Sequence, residues 1–272
     1  MLEFEILAHG LYRPVQLDIS YNPSLHMPTT PTIQAWMDIL WEQKLALARE
    51  QKIPLFDAPL FRCIKAEAKP DGTLHLVLGD TGYKEYVTTR VSEFAQGRKR
   101  EELGNALSVC SVVETNDGYI LLDKRQGVDV YVGRYHVIGG FFERDLDSTN
   151  SKQPDPFGAI CREIREETGI QLSDISEQFC LGVVYDVATP HAEMCFLTCL
   201  SIPLAEVHKR VPEEDEIKKL EVLKVTEEGL REFIVKNHGN ISATGEPNLL
   251  MYGGVRFGEG WLGEMMGLLK RD

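Results

Sequence analysis

Gly139-Gly140 opens, and Arg162-Glu163-Ile164-Arg165-Glu166-Glu167-Thr168-Gly169-Ile170 closes, the stretch on which the reading of this chain turns. Between them lie the signals of one short helix. Asp155 is a good N-cap, and Pro156 suits the first helical position, where its missing N–H costs nothing. Phe157, Ile160, Cys161 and Ile164 recur at helical spacing and make an apolar face. Gly169 follows the last periodic residue and is suited to the left-handed position that ends a helix. Glu163, Glu166 and Glu167 stand at i, i+3 and i+4, so their carboxylates share one side. Two of them occupy the last turn, where the helix dipole disfavours each acid by about 0.3–1 kcal/mol. A solvated face with an Arg162–Glu166 pair is the plain reading. A divalent cation is the alternative, because it reverses both the dipole penalty and the mutual repulsion. Hard cations such as Mg²⁺ prefer carboxylate oxygens and substrate phosphates.

The composition sets bounds. The chain has 272 residues, is 43% hydrophobic and carries a formal net charge of −13. That is enough apolar material for one or two domains. The acidic balance argues against nucleic acid or an anionic membrane as partner, since both need a basic footprint. Six cysteines include no C-x-x-C pair, and Cys195 and Cys199 fall on one face of an expected strand. Zinc would need a second ligand pair at finger spacing, and none follows. Reduced thiols in a cytoplasmic protein are the expectation. The N-terminus, Met1-Leu2-Glu3-Phe4-Glu5, lacks the basic-then-apolar pattern of a signal peptide. No apolar run approaches the roughly 20 residues of a membrane helix. No internal repeat or low-complexity tract is present.

The run R-E-I-R-E-E-T-G-I with its upstream Gly-Gly resembles the Nudix box, G-x5-E-x7-R-E-U-x-E-E-x-G-U with U aliphatic. The second half matches at every specified position. The first half departs from it. Gly140 matches the opening glycine, and Ile138 stands where most relatives have proline. Extra residues follow, among them Ser148-Thr149-Asn150-Ser151-Lys152, and Gln153-Pro154 occupies the place of the box's first glutamate. Glu143 and Asp145 are the candidate replacements. The resemblance implies an α/β fold, a Nudix-type α/β/α sandwich with a mixed sheet, over about 105–236. To this the chain adds a smaller N-terminal α+β unit over 1–100, with a possible role in substrate specificity, and a C-terminal extension over 237–272 carrying a short helix.

The remaining elements follow from local pattern. Leu2, Phe4 and Ile6, then Val15, Leu17 and Ile19, alternate as an opening pair of strands. Thr30-Pro31 starts a helix whose stripe is Ile33, Met37, Leu40, Trp41 and Leu45. A hairpin turns at Pro70-Asp71-Gly72, and a second at Asn116-Asp117-Gly118. Further strands are expected over 179–187, 193–200 and 220–225, and helices over 227–236 and 260–269. His191, in the Thr189-Pro190-His191 connection, reads as a loop residue.

The segments Leu55-Phe56-Asp57-Ala58-Pro59-Leu60-Phe61-Arg62 and Thr81-Gly82-Tyr83-Lys84-Glu85-Tyr86 resemble the N-terminal region of the UDP-glucose/UDP-galactose pyrophosphatase branch of that family. The resemblance implies Mg²⁺-dependent hydrolysis (Mn²⁺ as possible substitute) of a small-molecule nucleoside diphosphate derivative, with a UDP-sugar giving UMP and sugar 1-phosphate. It implies Glu166 and Glu167 as ligands, Glu163 as ligand or base, Arg162 as their orienting partner, and the Gly140 carbonyl as a further ligand. Glu216, or failing it Glu213, would bring another carboxylate to the metal or the attacking water. Arg125 and Arg90 would meet phosphate, and Tyr83 and Tyr86 would stack on the base. Other readings stand beside this one: ADP-ribose, another dinucleotide or coenzyme A as substrate, a catalytically weak nucleotide-sugar-binding module, or a purely structural acidic protein.

Overall fold

The computed structural model describes residues 2–126, 130–150, 152–213 and 220–270. In chain order the N-terminal part forms β1 (Phe4–Tyr12), β2 (Leu17–Tyr21), α1 (Pro31–Gln51), β3 (Pro59–Ala68), β4 (Leu74–Gly82), α2 (Tyr83–Thr89) and α3 (Ser92–Ala95). Then come β5 (Leu107–Glu114), β6 (Tyr119–Lys124), β7 (Tyr135–His136), β8 (Ile138–Phe141) and α4 (Pro156–Thr168). The rest is β9 (Ile175–Asp186), β10 (His191–Leu200), α5 (Leu204–Val207), β11 (Leu220–Lys224), α6 (Glu227–Asn237), α7 (Gly245–Phe257) and α8 (Glu259–Leu269).

A large mixed sheet has the order β1-β9-β10-β5-β6-β11, with β7 attached to β6 and β8 to β5. The β5–β10 pair is parallel and the others are antiparallel. Central β5 is buried along its whole length, as a strand covered on both faces must be. One face packs Leu107, Val109 and Val113 against Ala159, Ile160 and Ile164 of α4 and against Leu74, Leu76 and Leu78 of β4. The opposite face packs Cys110, Val112, Cys195 and Leu197 against Leu230 of α6, Leu249–Tyr252 of α7 and Trp261, Leu262 and Met265 of α8. The result is the expected α/β/α sandwich with a mixed sheet and a smaller N-terminal unit. Cys199 joins Cys195 on the same face of β10. Among the described residues no helix is long and apolar enough to cross a membrane.

Two expectations need correction. The opening strands do not pair with each other: β1 joins β9 in the large sheet, while β2 runs parallel to β4 in a second sheet of order β2-β4-β3. Alternation in each strand reports one buried face and carries no information about the partner. The second correction is α7, which the sequence reading missed. Gly245 through Gly254 are all buried, so it has no amphipathic stripe to read.

The N-terminal unit is tied to the large sheet beside β8. Phe61 N–H donates to Phe142 O at 3.1 Å, and Cys63 N–H to Asn105 O at 2.9 Å. The Arg144 guanidinium reaches back to Leu60 O at 3.1 Å and to Asp80 at 2.7 Å. Where β1 meets β9, Gly182 adopts φ +141°, and a Cβ there would lie 2.0 Å from Ala8 O. Gly182→Ala therefore forces β1 away from the sheet. It is expected to lower stability by about 2 kcal/mol or more, in the range of overpacking and backbone strain, as read from the denaturant midpoint. A change within error would contradict this account of the β1 junction.

Candidate active site

Helix α4 forms as its sequence requires. The Asp155 carboxylate accepts from Gly158 N–H at 2.9 Å, Pro156 takes the first turn, and Gly169 closes the helix at φ 74°. With Ile160 and Ile164 fixed in the core, Arg162, Glu163, Glu166 and Glu167 are turned toward Gly139, Gly140 and Phe141 of β8. These groups line one cleft of about 720 Å³. The glycines make the close approach possible. A Cβ on Gly139 would strike Val109 O at 2.2 Å, and one on Gly140 would lie 2.5 Å from the Glu163 carboxylate. Glu167 accepts from Gly139 N–H at 3.2 Å.

Arg162 is the hub. Its Nε and Nη2 both donate to Asp147 at 2.8 Å, a bidentate pair. Nη1 reaches Glu163 and Glu166, each at 2.9 Å, and Nη2 also donates to Phe141 O at 3.1 Å. Burial opposes the charge of this guanidinium, but Asp147, Glu163 and Glu166 outweigh it and raise its pKa. Asp147 was not among the residues singled out from the sequence. The structure gives the place opposite Arg162 neither to Glu143 nor to Asp145. Asp145 is exposed. Glu143 lines the cleft, its pKa raised by burial, and its backbone N–H donates to Asp147 at 2.8 Å. The insertion folds back on itself, pairing Ser148 with Pro154, and Asp155 N–H donates to Asp147 O at 2.9 Å. Asp147 is thus held at both ends of the insertion.

Four substrate-facing candidates reach the same cleft from outside the helix. Tyr83, Tyr86 and Arg90 come from α2 and the residue after it, and Arg125 from the end of β6. Tyr86 is buried, and the Arg90 guanidinium lies 4.6 Å over its ring and donates to its hydroxyl at 2.8 Å. Phe141 packs edge-on against both tyrosines at 5.5 Å. Tyr86 is therefore wall, with Arg90 already on its face, rather than an open stacking platform. The exposed ring on this cleft is Phe56, 66% exposed, on a lip with Leu47 and Ile53. The sequence reading quoted Phe56 only as part of a resemblance. Glu213, the second choice for a further carboxylate, does not line the cleft. It is half exposed and pairs with Arg165 at 3.1 Å. Glu216 lies outside the described residues.

Several cleft residues were missed. His191 is the first residue of β10 and is buried, not a free loop residue. Its Nδ1 donates to Thr189 O at 2.6 Å, and its Nε2 lies 3.8 Å from Glu193. Burial alone would depress this imidazolium, but Tyr86, Glu193 and Asp186 push its pKa up. Burial likewise opposes ionised Glu193, yet His191 and His136 hold its carboxyl below the ordinary range. His136, 3.8 Å from Glu193 and 2.6 Å from Ser242 Oγ, is lowered by burial to about 4 and is neutral at pH 7. The i, i+2 spacing of His191 and Glu193, which puts both on one face of a strand, is the signal that could have found them.

The donor set fits a hard cation. Glu163, Glu166, Glu167 and the Gly140 carbonyl offer oxygen only, and the glycine pair brings backbone against carboxylate. Among the described residues no three His, Cys, Asp or Glu side chains converge as a ready-made metal site. Here Arg162 holds Glu163 and Glu166, and Arg165 reaches the other Glu166 oxygen at 3.2 Å.

No family model and no curated protein matches the sequence. Among solved structures, a bifunctional NMN adenylyltransferase/ADP ribose pyrophosphatase from Francisella tularensis aligns at 19% identity and TM-score 0.37, over 56% of this chain and 40% of that one. A NUDIX hydrolase from Nitrosomonas europaea aligns at 14% and 0.38, over 54% and 86%. A putative nudix hydrolase family member from Chromobacterium violaceum aligns at 21% and 0.33, over 60% and 91%. The functional case rests on the cleft itself.

Asp147 and the exposed candidate Asp145 separate experimentally. Asp147→Asn leaves the buried guanidinium short of a bidentate partner and is expected to cost about 1–3 kcal/mol. Asp145→Asn, at an exposed site, should stay within about 0.5 kcal/mol. Urea denaturation of both variants checks the pair, and equal effects would contradict the role given to Asp147.

Proposed function

We propose that the chain is a divalent-cation-dependent hydrolase of the diphosphate bond in a nucleoside diphosphate linked to a second moiety. The observation that carries this reading is convergence. The three carboxylates and Arg162 of α4, the Gly139-Gly140 backbone, and the cations Arg90 and Arg125 all line one cleft. Glu163, Glu166, Glu167 and the Gly140 carbonyl would hold Mg²⁺, with Mn²⁺ as a substitute. Bound there, the ion supplies charge neutralisation at the diphosphate and a lowered pKa for the attacking water. Arg162 orients Glu163 and Glu166. Arg90 and Arg125 bind phosphate oxygens, and the lip of Phe56, Leu47 and Ile53 covers the nucleobase. The residues 1–100 thereby contribute to specificity, while 105–236 carry the chemistry and 237–272 complete the core and one wall. Catalysis in such a site is mainly positioning and electrostatic stabilisation.

Within this class the resemblance of 55–62 and 81–86 favours a UDP-sugar, cleaved to UMP and sugar 1-phosphate. A second reading, ADP-ribose or another dinucleotide-type substrate, is supported by the open lip. The exposed Phe56 ring would accept a purine as well as a pyrimidine.

Incubation with Mg²⁺ and a panel of UDP-sugars, ADP-ribose and dinucleotide polyphosphates, with products identified by mass spectrometry, should show cleavage within the diphosphate that chelation abolishes. Glu167→Gln should retain the fold by circular dichroism and lose about 100-fold or more in kcat, the scale of removing one electrostatic stabiliser. Unimpaired turnover in Glu167→Gln would sink the assignment.

A further inference from the structure

The cleft has a second polar floor that the hydrolytic reading does not use. It lies round the end of the sheet, on the face opposite α4. Glu193 pairs in register with Ser108 of β5, which pairs with Phe141 of β8, so the three stand in one row. Ser108 and Glu193 line the cleft together with His136, His191, Ser242 and Thr244. The Glu193 side chain is only 4% exposed, and both flanking imidazoles stand 3.8 Å away. Burying a carboxylate beside a charged imidazole is expensive and adds little net stability against an apolar replacement.

The chemistry of this floor is that of a receptor for neutral hydrogen-bond donors. Glu193 is ionised and is an acceptor only, with about four lone-pair sites. Its charge is balanced by His191, which Asp186 also faces at 3.8 Å, so the floor presents no net cation for a phosphate. Ser108, Ser242 and Thr244 add hydroxyls that both donate and accept. The cations suited to phosphate, Arg90 and Arg125, are supplied by other elements of the same cleft.

We infer that Glu193 is a specificity-determining acceptor for a sugar hydroxyl of the substrate, oriented between His191 and His136. The inference rests on the proposed reading that the cleft takes a nucleoside diphosphate linked to a sugar. The hydroxyl belongs either to the ribose or to the second sugar, and the two are separable by substrate.

The test is a substrate-deletion cycle. UDP-glucose, a series of its monodeoxyhexose analogues and the 2′-deoxyribose and 3′-deoxyribose analogues are compared for kcat/KM with Mg²⁺ and for Kd by calorimetry, in wild type and in Glu193→Ala. In wild type, loss of one hydroxyl should cost about 10- to 100-fold, the scale of a hydrogen bond to a charged group. In Glu193→Ala the same deletion should cost less than about twofold. A hexose deletion with this behaviour places the second sugar on the floor, and a ribose deletion places the ribose there. Near-equal rates for all deoxy analogues in wild type overturn the inference, even if Glu193→Ala fails to fold. The same loss in Glu193→Ala as in wild type also overturns it. Turnover without hydroxyl dependence removes this inference alone. Hydroxyl-dependent binding without turnover supports the floor and removes the hydrolytic reading. Neither binding nor turnover with any analogue removes this inference and the UDP-sugar reading, while cleavage of ADP-ribose in the panel above would keep the hydrolytic one.

Discussion

The Arg162 guanidinium, partly buried among Asp147, Glu163, Glu166 and the Phe141 carbonyl, is the contact on which the rest of the site depends. Three carboxylates crowded at the end of a helix repel each other and oppose its dipole. One delocalised cation with a planar fork compensates Glu163 and Glu166 and fixes their directions at the same time, which a lysine's point charge would not do, while Glu167 is held by the Gly139 N–H. The same side chain stitches three stretches together: the helix, the end of β8, and the insertion through Asp147. A change to any of these partners is felt at the carboxylates without touching them.

The cleft lies where it does because three parts of the chain meet at one end of the large sheet. Helix α4 covers one face there, the residues before α7 cover the other, and α1 and α2 of the N-terminal unit close over the edge. Arg144 and the β3–β8 contacts hold that unit against the site. The α4 carboxylates and the His136, Glu193 and His191 side chains consequently approach one space from opposite faces of a single sheet.

How much of this was legible beforehand depended on whether a residue's role is local. Asp155, Pro156 and Gly169 determine α4 by backbone geometry alone, and the hairpin at Asn116-Asp117-Gly118 is equally local, so both were readable. The glutamates followed from their spacing on that helix. Asp147 was not readable, because its function depends on how an insertion without periodicity folds back onto Arg162. Tyr86 lines the cleft, but its burial under Arg90 is a tertiary fact. His136, Glu193 and Ser242 belong to segments distant in sequence, and only sheet register brings them together. Helix α7 escaped because burial on all sides erases the periodicity that marks a helix.

The central claim is that the α4 carboxylates, gathered by Arg162 against Gly140, hold a divalent cation. Anomalous diffraction from crystals grown with Mn²⁺ tests it most directly. The account predicts a peak in the cleft with oxygens of Glu163, Glu166 or Glu167 at about 2.1 Å, the distance typical of small hard cations. A peak elsewhere on the molecule, or no peak at Mn²⁺ concentrations that support turnover, would contradict it.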